Sequence, residues 1–312
     1  MPEKIRIGTR RSVLAMWQAR FVAGLLAKGG MESEIVGIET RGDKILDVAI
    51  AKIGDKGVFT QELEDMLQHG AIDIAVHSAK DLPSELSPGF ELIAFTCREK
   101  VNDVLVAHRS NNDLDNPEIS LQVGSSSVRR RAFLRRYYPH FRIVDMRGNL
   151  QTRMGKMQNG VCDLLILAFA GVKRMEMERF IVRELPADRF VPPVGQGCLA
   201  VESSVNIDPE KKMRIRRHVN HCPTEKMVRE ERAFLKTLKG GCSIPAFGHA
   251  TLKDDSLFLT AGIISLDGRE LIVECAEGGI GETSGILGDS VARAVLDRGG
   301  RRLLEEIRSE QK

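Results

Sequence analysis

The 312-residue chain has few aromatic residues and little net charge. Aromatic residues make up 5% of it, with one Trp and two Tyr, so few rings are available to stack on nucleic-acid bases. The net charge is only +3, well below the basic excess that is typical of nucleic-acid binders. No apolar run approaches the length of a membrane-spanning helix. We therefore expect no nucleic-acid partner and no membrane partner.

The six cysteines form no C-x-x-C pair, so neither a zinc knuckle nor a redox pair is indicated. His218, His221 and Cys222 lie close together but lack a second ligand cluster, and we predict no metal site. The first residues lead directly into a strand pattern without the charged and apolar regions of a secretory signal. We expect a cytoplasmic protein whose thiols are mostly free and buried.

Positive charge is concentrated in one segment of the chain. Eight arginines and one acid lie between Gly124 and Arg153, in a stretch that opens G-S-S-S-V-R-R-R and closes R-G-N-L-Q-T-R. Gly-Ser turns at helix starts present backbone N–H groups to anions, and arginine adds planar bidentate donors. A solvated basic helix face is the alternative interpretation. The repeated pairing of Arg with Gly, Ser and Asn favours a cleft for a ligand with several negative groups.

Strand and helix patterns alternate through the first two thirds of the chain, which predicts two α/β units with mostly parallel sheets. Ligands of such sheets bind beyond the carboxyl ends of the strands. Three polar segments follow predicted strands, and we expect them to line one cleft: His77–Asp81, Gly124–Ser127 and Arg147–Asn149.

The pattern changes near Val219. A long helix over Thr224–Leu238 precedes three strand-like segments, and L-D-G-R at Leu266–Arg269 is typical of a hairpin turn. One terminal helix is predicted over Ser284–Arg298. These elements predict a small α+β domain with an antiparallel sheet.

Two single residues have side chains suited to catalysis or attachment. Asp81 directly follows a buried strand, where a carboxylate can act as general acid or base or stabilise positive charge; it could equally cap a helix or pair with Lys80. Cys242 lies between a glycine pair and S-I-P, on a loop where a thiol can be a nucleophile or an attachment point. Lone cysteines are more often inert, and composition alone leaves both interpretations open.

Taken together, the motifs closely resemble the porphobilinogen deaminase, or hydroxymethylbilane synthase, family. The resemblance runs from Ile5 to about Asp267. It is carried by I-G-T-R-R-S, T-R-G-D-K-I-L-D, D-I-A-V-H-S-A-K-D-L-P, V-G-S-S-S-V-R-R, M-R-G-N-L-Q-T-R, L-A-F-A-G-V-K-R, P-V-G-Q-G and E-R-A-F-L-K-T-L-K-G-G-C-S-I-P. Each fragment is weak alone, but their order and spacing are highly specific.

The resemblance implies two lobes like those of a periplasmic binding protein and a third, α+β domain. The implied limits are residues 1–99 with 198–217, residues 100–197, and residues 218–312. The implied activity is that of a monomeric transferase of heme and tetrapyrrole biosynthesis. It joins four porphobilinogen molecules head to tail with loss of ammonia, and hydrolysis then frees hydroxymethylbilane. The implied primer is a dipyrromethane cofactor, held by a thioether to Cys242.

The resemblance also implies roles for individual residues, with Asp81 as the catalytic carboxylate. The implied cofactor-binding residues are Lys80, Asp81, Ser126, Ser127, Arg129, Arg130 and Cys242. The implied substrate-binding residues are Arg10, Ser12, Gln18, Phe59, Arg147, Asn149, Arg153 and Arg174. The segment Arg41–Gly57 matches a mobile cover over the cleft.

Two other functions are compatible with an anion-binding cleft. A non-catalytic, two-lobed binding protein for anionic solutes would need neither Asp81 nor Cys242, and we expect no export signal. A nucleic-acid-binding regulator using the run Arg129–Arg136 is disfavoured by the low net charge and the scarcity of aromatic residues.

Overall fold

The computed structural model describes residues 4–40, 60–108, 114–241, 243–279 and 285–310. The predictions for the cover segment Arg41–Gly57, for Phe59 and for Cys242 lie outside these residues. None of the helices within the described ranges is long and apolar enough to cross a membrane.

The described residues contain strands that fall into three sheets and helices that pack on them. The strands are β1 (Ile5–Arg10), β2 (Ser33–Ile38), β3 (Ile74–Ser78), β4 (Phe90–Phe95), β5 (Asp103–Val106), β6 (Gln122–Gly124), β7 (Arg142–Val144), β8 (Leu164–Ala168), β9 (Ile181–Glu184), β10 (Leu199–Ser204), β11 (Ala246–Lys253), β12 (Ser256–Ile264) and β13 (Leu271–Gly279). The α-helices are α1 (Val13–Lys28), α2 (Gln61–Gln68), α3 (Val128–Tyr137), α4 (Leu150–Gln158), α5 (Phe169–Arg174), α6 (Pro209–Val219), α7 (Cys222–Thr237), α8 (Ile286–Val295) and α9 (Arg301–Glu310).

The two lobes repeat one sheet plan. Lobe 1 has the strand order β2-β1-β3-β10-β4 and lobe 2 the order β7-β6-β8-β5-β9. In each sheet the first three strands are parallel, and the fourth is antiparallel to both of its neighbours. The sheets are therefore mixed rather than mostly parallel in their pairings, although four of the five strands in each run in one direction.

The reversed strands, β5 and β10, are the first strands after the chain crosses between lobes, at residues 96–102 and 185–198. A strand that enters from the crossing begins at the edge where the parallel strands end. Asp103 therefore pairs with Ala168 at the end of β8, and Leu199 pairs with Ser78 at the end of β3. This geometry brings the starts of the reversed strands to the cleft edge of each sheet.

The third domain is an antiparallel sheet, β11-β12-β13, covered by helices. Ile264 pairs with Leu271 across the predicted hairpin turn. The terminal helix expected over Ser284–Arg298 is present as α8, whereas the second terminal helix, α9, has no counterpart in the prediction. The helix α8 is interrupted at Gly299, whose φ of 109° is accessible mainly to glycine, and α9 then continues to Glu310. The predicted fold class of two α/β lobes with a small antiparallel α+β domain is confirmed.

The third domain shares an apolar core with lobe 2. Phe247 of β11 and Ile264 of β12 are fully buried with Phe133 of α3, and the rings of Phe133 and Phe247 lie 5.2 Å apart. The hairpin turn also contacts α3, because Arg136 Nη1 donates to the carbonyl of Arg269 at 3.0 Å. Helix α3, which starts at the cleft, is therefore held in position by its contacts with the third domain.

Helix α8 packs against α7 at a close backbone contact. A Cβ at Gly288 would lie 2.1 Å from the carbonyl oxygen of Glu230. The buried Glu230 carboxylate accepts hydrogen bonds from the amides of Gly285 at 2.6 Å and Gly288 at 2.9 Å, at the positive end of the helix dipole. The contact thus combines close packing with a satisfied buried charge.

We predict that Gly288→Ala lowers the free energy of unfolding by about 1–3 kcal/mol or more, because the added methyl group would overlap the backbone of α7. The free energy of unfolding by urea measures this change. Gly24→Ala is the matched control, because Gly24 lies in α1 with open space around it and alanine should stabilise that helix by about 0.5–1 kcal/mol. Equal stability of the two variants would contradict the packing assigned to α7 and α8.

Candidate active site

Three helices begin directly after strands that end at the cleft edge, and each has a polar residue at its N-cap. Ser12 Oγ accepts from the amide of Ala15 at 3.2 Å at the start of α1. Ser127 caps α3, and Asn149 Oδ1 accepts from the amide of Thr152 at 2.9 Å at the start of α4. Helix N-termini favour anions through their free N–H groups and their dipole.

Lys80 and Asp81 lie in a short 3₁₀-helix that follows β3. Asp81 is exposed. Lys80 Nζ donates to Gln196 Oε1 at 3.1 Å, which ties it to the second crossing segment. Burial, followed by the nearby charge of Arg130, lowers the pKa of Lys80 to about 8, against the opposing effect of Asp81. The depressed pKa therefore reflects mainly the burial of the ammonium, in a cluster that contains Arg129 and Arg130 as well as Asp81 and Asp103.

Asp103, at the start of β5, is the buried partner of two predicted ligand-binding arginines. Arg129 Nη2 pairs with Asp103 Oδ2, and Arg130 Nη2 donates to Oδ1 at 2.7 Å. Burial by itself raises the pKa of Asp103, but the Arg129 and Arg130 guanidinium groups outweigh it and hold the pKa well below the usual range. Arg129 and Arg130 are thus fixed by the protein before any ligand binds. Replacing either one would also remove a partner from a buried charge.

Arg153, in α4, differs because it forms no ion pair with a carboxylate among the described residues. Its Nε is buried and has no hydrogen-bond partner among the described residues. Burial, followed by the charge of Arg130, lowers the pKa of Arg153 to about 10, whereas Asp81 raises it. Arg153 therefore lies within electrostatic range of Arg130 in its own lobe and of Asp81 across the cleft. An unsatisfied buried guanidinium is costly unless a ligand supplies the acceptor.

The structure thus brings Lys80 and Asp81 of lobe 1 into one electrostatic cluster with Arg129, Arg130 and Arg153 of lobe 2. Of the other predicted site residues, Ser127 joins this cluster, because its Oγ accepts from the amide of Arg130.

Those residues are arranged around the cluster in several ways. Gln18 is buried on α1, and its Nε2 donates to Ser78 Oγ at 2.8 Å. Arg147 Nε donates to Asp145 Oδ2 at 3.1 Å. Arg10 ends β1, and Ser126 is exposed just before α3.

Two residues that connect the parts of the site, Asp103 and Gln196, are absent from the sequence predictions. Gln196 Nε2 donates to Asp103 Oδ1 at 3.0 Å and to the carbonyl of Val101 at 2.7 Å, while its Oε1 accepts from Lys80. The available sequence signals were a lone acid opening the apolar strand D-V-L-V and a glutamine between two glycines in V-G-Q-G. Both glycines have positive φ, 75° at Gly195 and 97° at Gly197, which places the Gln196 turn between the lobes.

A buried ion pair joins this turn to the third domain. Arg98 Nη2 donates to Glu231 Oε2 at 3.1 Å, and Arg98 Nε donates to the carbonyl of Gln196 at 2.8 Å. Glu231 also accepts from the amides of Gly195 at 2.7 Å and Ala250 at 2.8 Å. One continuous polar network therefore links all three domains to the cleft.

The donor set fits a ligand with several carboxylates. It combines N-capped helix starts with the lysine Lys80, whose pKa is depressed, and the buried guanidinium Arg153, which lacks a hydrogen-bond partner at Nε. The loop that contains Cys242 follows α7, which is anchored to the cleft through Glu231.

The depressed pKa of Lys80 predicts a pH dependence of stability. The unfolded chain retains its proton up to the ordinary value of 10.5, whereas the folded state releases it near 8. Between these values the unfolded state binds more protons, so folding becomes more favourable as pH rises. The cost of burying the ammonium is fully present below pH 8 and is relieved by about pH 10.5.

Urea unfolding of the unmodified chain and of Lys80→Met across this pH range measures the effect. The unfolding free energy of the unmodified chain minus that of the variant should rise with pH, with a slope of at most about 1.4 kcal/mol per pH unit. If this difference in unfolding free energy stays constant or falls as pH rises, the burial of the Lys80 ammonium would be contradicted.

Comparison with known proteins gives matches over nearly the whole chain. Residues 5–211 match the family model described as porphobilinogen deaminase, dipyromethane cofactor binding domain, and residues 226–297 match that of the porphobilinogen deaminase C-terminal domain. A porphobilinogen deaminase from Desulfosudis oleivorans is 52% identical over 308 residues, covering 99% of each chain. One from Cytophaga hutchinsonii is 52% identical over 273 residues, covering 87% of each.

Solved structures with similar coordinates are more distant. The Bordetella pertussis BvgS periplasmic VFT2 domain is 16% identical, with a TM-score of 0.39 over 68% of this chain and 83% of that one. The periplasmic aliphatic sulphonate binding protein SsuA from Escherichia coli is 12% identical, with a TM-score of 0.40 over 77% of this chain and 71% of that one. On the matches of the two family models and the full-length relatives, the chain belongs to the porphobilinogen deaminase family.

Proposed function

We propose that the chain is a porphobilinogen deaminase, a transferase of tetrapyrrole and heme biosynthesis. In this role it condenses four porphobilinogen molecules head to tail with release of ammonia and then releases hydroxymethylbilane by hydrolysis. The observation that carries the proposal is the identity of 52% over 99% of the chain with a relative of that name. A non-catalytic solute-binding protein would account for a cationic cleft but not for this relationship.

We infer a dipyrromethane cofactor that is attached to Cys242 through a thioether. The name of the matched family model, which covers residues 5–211, supports the cofactor. When bound, the cofactor supplies the pyrrole ring to which substrate units are added. The residues that would hold its carboxylates are Lys80, Ser126, Ser127, Arg129 and Arg130. Support comes from the proximity of Lys80 to Arg129 and Arg130 and from the N-cap of α3.

We assign the binding of substrate carboxylates to Arg153 first, because its buried Nε lacks a protein acceptor among the described residues. The further substrate-binding residues in the proposal are Arg10, Ser12, Gln18, Phe59, Arg147, Asn149 and Arg174. Each new pyrrole unit brings an acetate and a propionate, so a cleft with several guanidinium groups can hold the growing product by bidentate pairs.

Asp81 is the proposed catalytic residue. Its carboxylate is exposed at the end of the 3₁₀-helix, so its Oδ atoms can reach protons on bound substrate. Its influence on the pKa of both Lys80 and Arg153 supports this role, because it shows that the carboxylate is close to both cations. There it can stabilise positive charge that develops at pyrrole nitrogen and carry protons to or from the departing amine.

The proposal includes the division of the chain into residues 1–99 with 198–217, residues 100–197, and residues 218–312. The return of β10 into the lobe 1 sheet supports the split first segment. A monomeric, cytoplasmic enzyme completes the proposal.

The intact mass of the purified chain tests the proposal directly. We expect it to exceed the sequence mass by one dipyrromethane, and we expect Cys242→Ser to lack the increment because oxygen in place of sulfur removes the thioether. Cys275→Ser is the control, because Cys275 is an exposed free thiol in β13 and its variant should keep the full increment. An unmodified chain at the sequence mass that also releases no ammonia from porphobilinogen would refute the function.

Asp81→Asn separates catalysis from cofactor retention. The amide cannot accept or donate the proton as a carboxylate does, so turnover should fall by about 100-fold or more while the mass increment remains. Ammonia release and intact mass, measured on one preparation, give both quantities. Asp145→Asn is the control, because this exposed carboxylate pairs with Arg147 at the edge of lobe 2 and is not proposed to act in catalysis. Near-normal turnover of the Asp81 variant would refute its role.

A further inference from the structure

The only tryptophan of the chain faces an arginine of the opposite lobe. Trp17 lies on α1 of lobe 1, and Arg174 is the last residue of α5 in lobe 2. The Arg174 guanidinium carbon lies 5.8 Å from the centre of the Trp17 ring, within the range of a cation–π contact. The contact therefore spans the opening between the lobes.

Arg174 has an unusual set of partners for a largely buried cation. Its Nη2 donates to the carbonyl of Gly197, in the second crossing segment, at 2.6 Å. Within the described ranges no carboxylate lies close enough to form an ion pair with it. Burial lowers the pKa of Arg174, with Cys198 and Glu99 opposing the shift. A backbone carbonyl and an aromatic ring thus hold a guanidinium that forms no ion pair with a described carboxylate.

The Trp17 ring is itself held in place. It stacks on Phe21, one turn further along α1, with ring centres 5.4 Å apart and an angle of 8° between the planes. The adjacent residue, Gln18, is buried and donates to Ser78 at 2.8 Å. The hydrogen bond of Gln18 therefore fixes α1 next to the indole, and the stack with Phe21 restricts the orientation of the ring.

We propose that Trp17 is a positioning residue that holds Arg174 ready to receive a carboxylate of porphobilinogen or of the growing product. A ring can bind the face of a guanidinium while the N–H groups in its plane stay available for bidentate pairing. The Gly197 carbonyl uses one nitrogen, and the remaining N–H groups can bind the ligand. This inference rests on the proposed function and adds to it a residue that does not itself touch the reacting atoms.

Steady-state kinetics of porphobilinogen consumption test the role. Trp17→Leu should raise KM about threefold to tenfold with kcat within about twofold, because the variant loses the cation–π contact but no catalytic group. Trp17→Phe, which keeps an aromatic face, should restore much of the loss. Arg20→Gln is the matched control, because it changes an exposed side chain on the same helix and leaves the Phe21 stack and the Trp17 contact with Arg174 in place.

A double-mutant comparison distinguishes positioning from a general effect on α1. If Trp17 acts through Arg174, Trp17→Leu should add no further increase in KM to a chain that already contains Arg174→Gln. Fully additive effects of the two substitutions would overturn the inference, as would an unchanged KM in Trp17→Leu alongside normal turnover of the unmodified chain. Absence of turnover in the unmodified chain would instead refute the proposed function, and the inference with it.

The fluorescence of Trp17 tests the contact without a measurement of turnover. It therefore remains informative if a Trp17 variant fails to fold. Because the chain has one tryptophan, its emission reports on the surroundings of Trp17, which include Arg174 and Phe21. Arg174→Gln should change the emission of the otherwise unmodified protein, whereas Arg20→Gln, an exposed position on α1, should leave it unchanged. Identical spectra for the Arg174 variant and the unmodified chain would overturn the contact on which the proposal depends.

Discussion

The cleft depends on one buried carboxylate. Asp103 is fully buried at the start of β5, where it holds Arg129 and Arg130 on one side and accepts from Gln196 on the other. An isolated buried charge would be strongly unfavourable, and so would two adjacent buried guanidinium groups. The negative charge of Asp103 and the positive charges of Arg129 and Arg130 offset one another, which lowers the free-energy cost of burying them. The result is a lobe in which positive charge is set in place before a ligand arrives, which is the condition for electrostatic preorganisation.

The crossing segments extend this arrangement to the whole molecule. Gln196 contacts Lys80 of lobe 1 and Asp103 of lobe 2, and its carbonyl accepts from Arg98, which pairs with Glu231 of α7. The same helix leads into the loop that contains Cys242. An apolar contact between Phe133 and Phe247 fixes α3 to the third domain as well. The helix that precedes the proposed attachment point in the sequence is therefore connected to the proposed carboxylate-binding residues through buried, hydrogen-bonded groups.

Much of the local structure was accessible from sequence patterns. The N-cap at Asn149, the buried strand within D-L-L-I-L-A and the hairpin turn at Leu266–Arg269 are all present. They depend on interactions between near neighbours and on burial of both strand faces, which single-sequence patterns encode. The predicted terminal helix ended at Arg298, directly before the break at Gly299, whereas the helix α9 that follows the break was not predicted.

The sequence by itself determined the fold class, the concentration of arginine around helix starts and, through its ordered motifs, the family. The folded structure was needed to show that Arg129 and Arg130 are paired with Asp103, whereas Arg153 forms no ion pair with a described residue. The partners are separated by 26 and 27 residues and come from a strand that enters the sheet in reverse. Arginines look alike in a sequence, and their availability to a ligand depends on which acids the folded chain brings within reach.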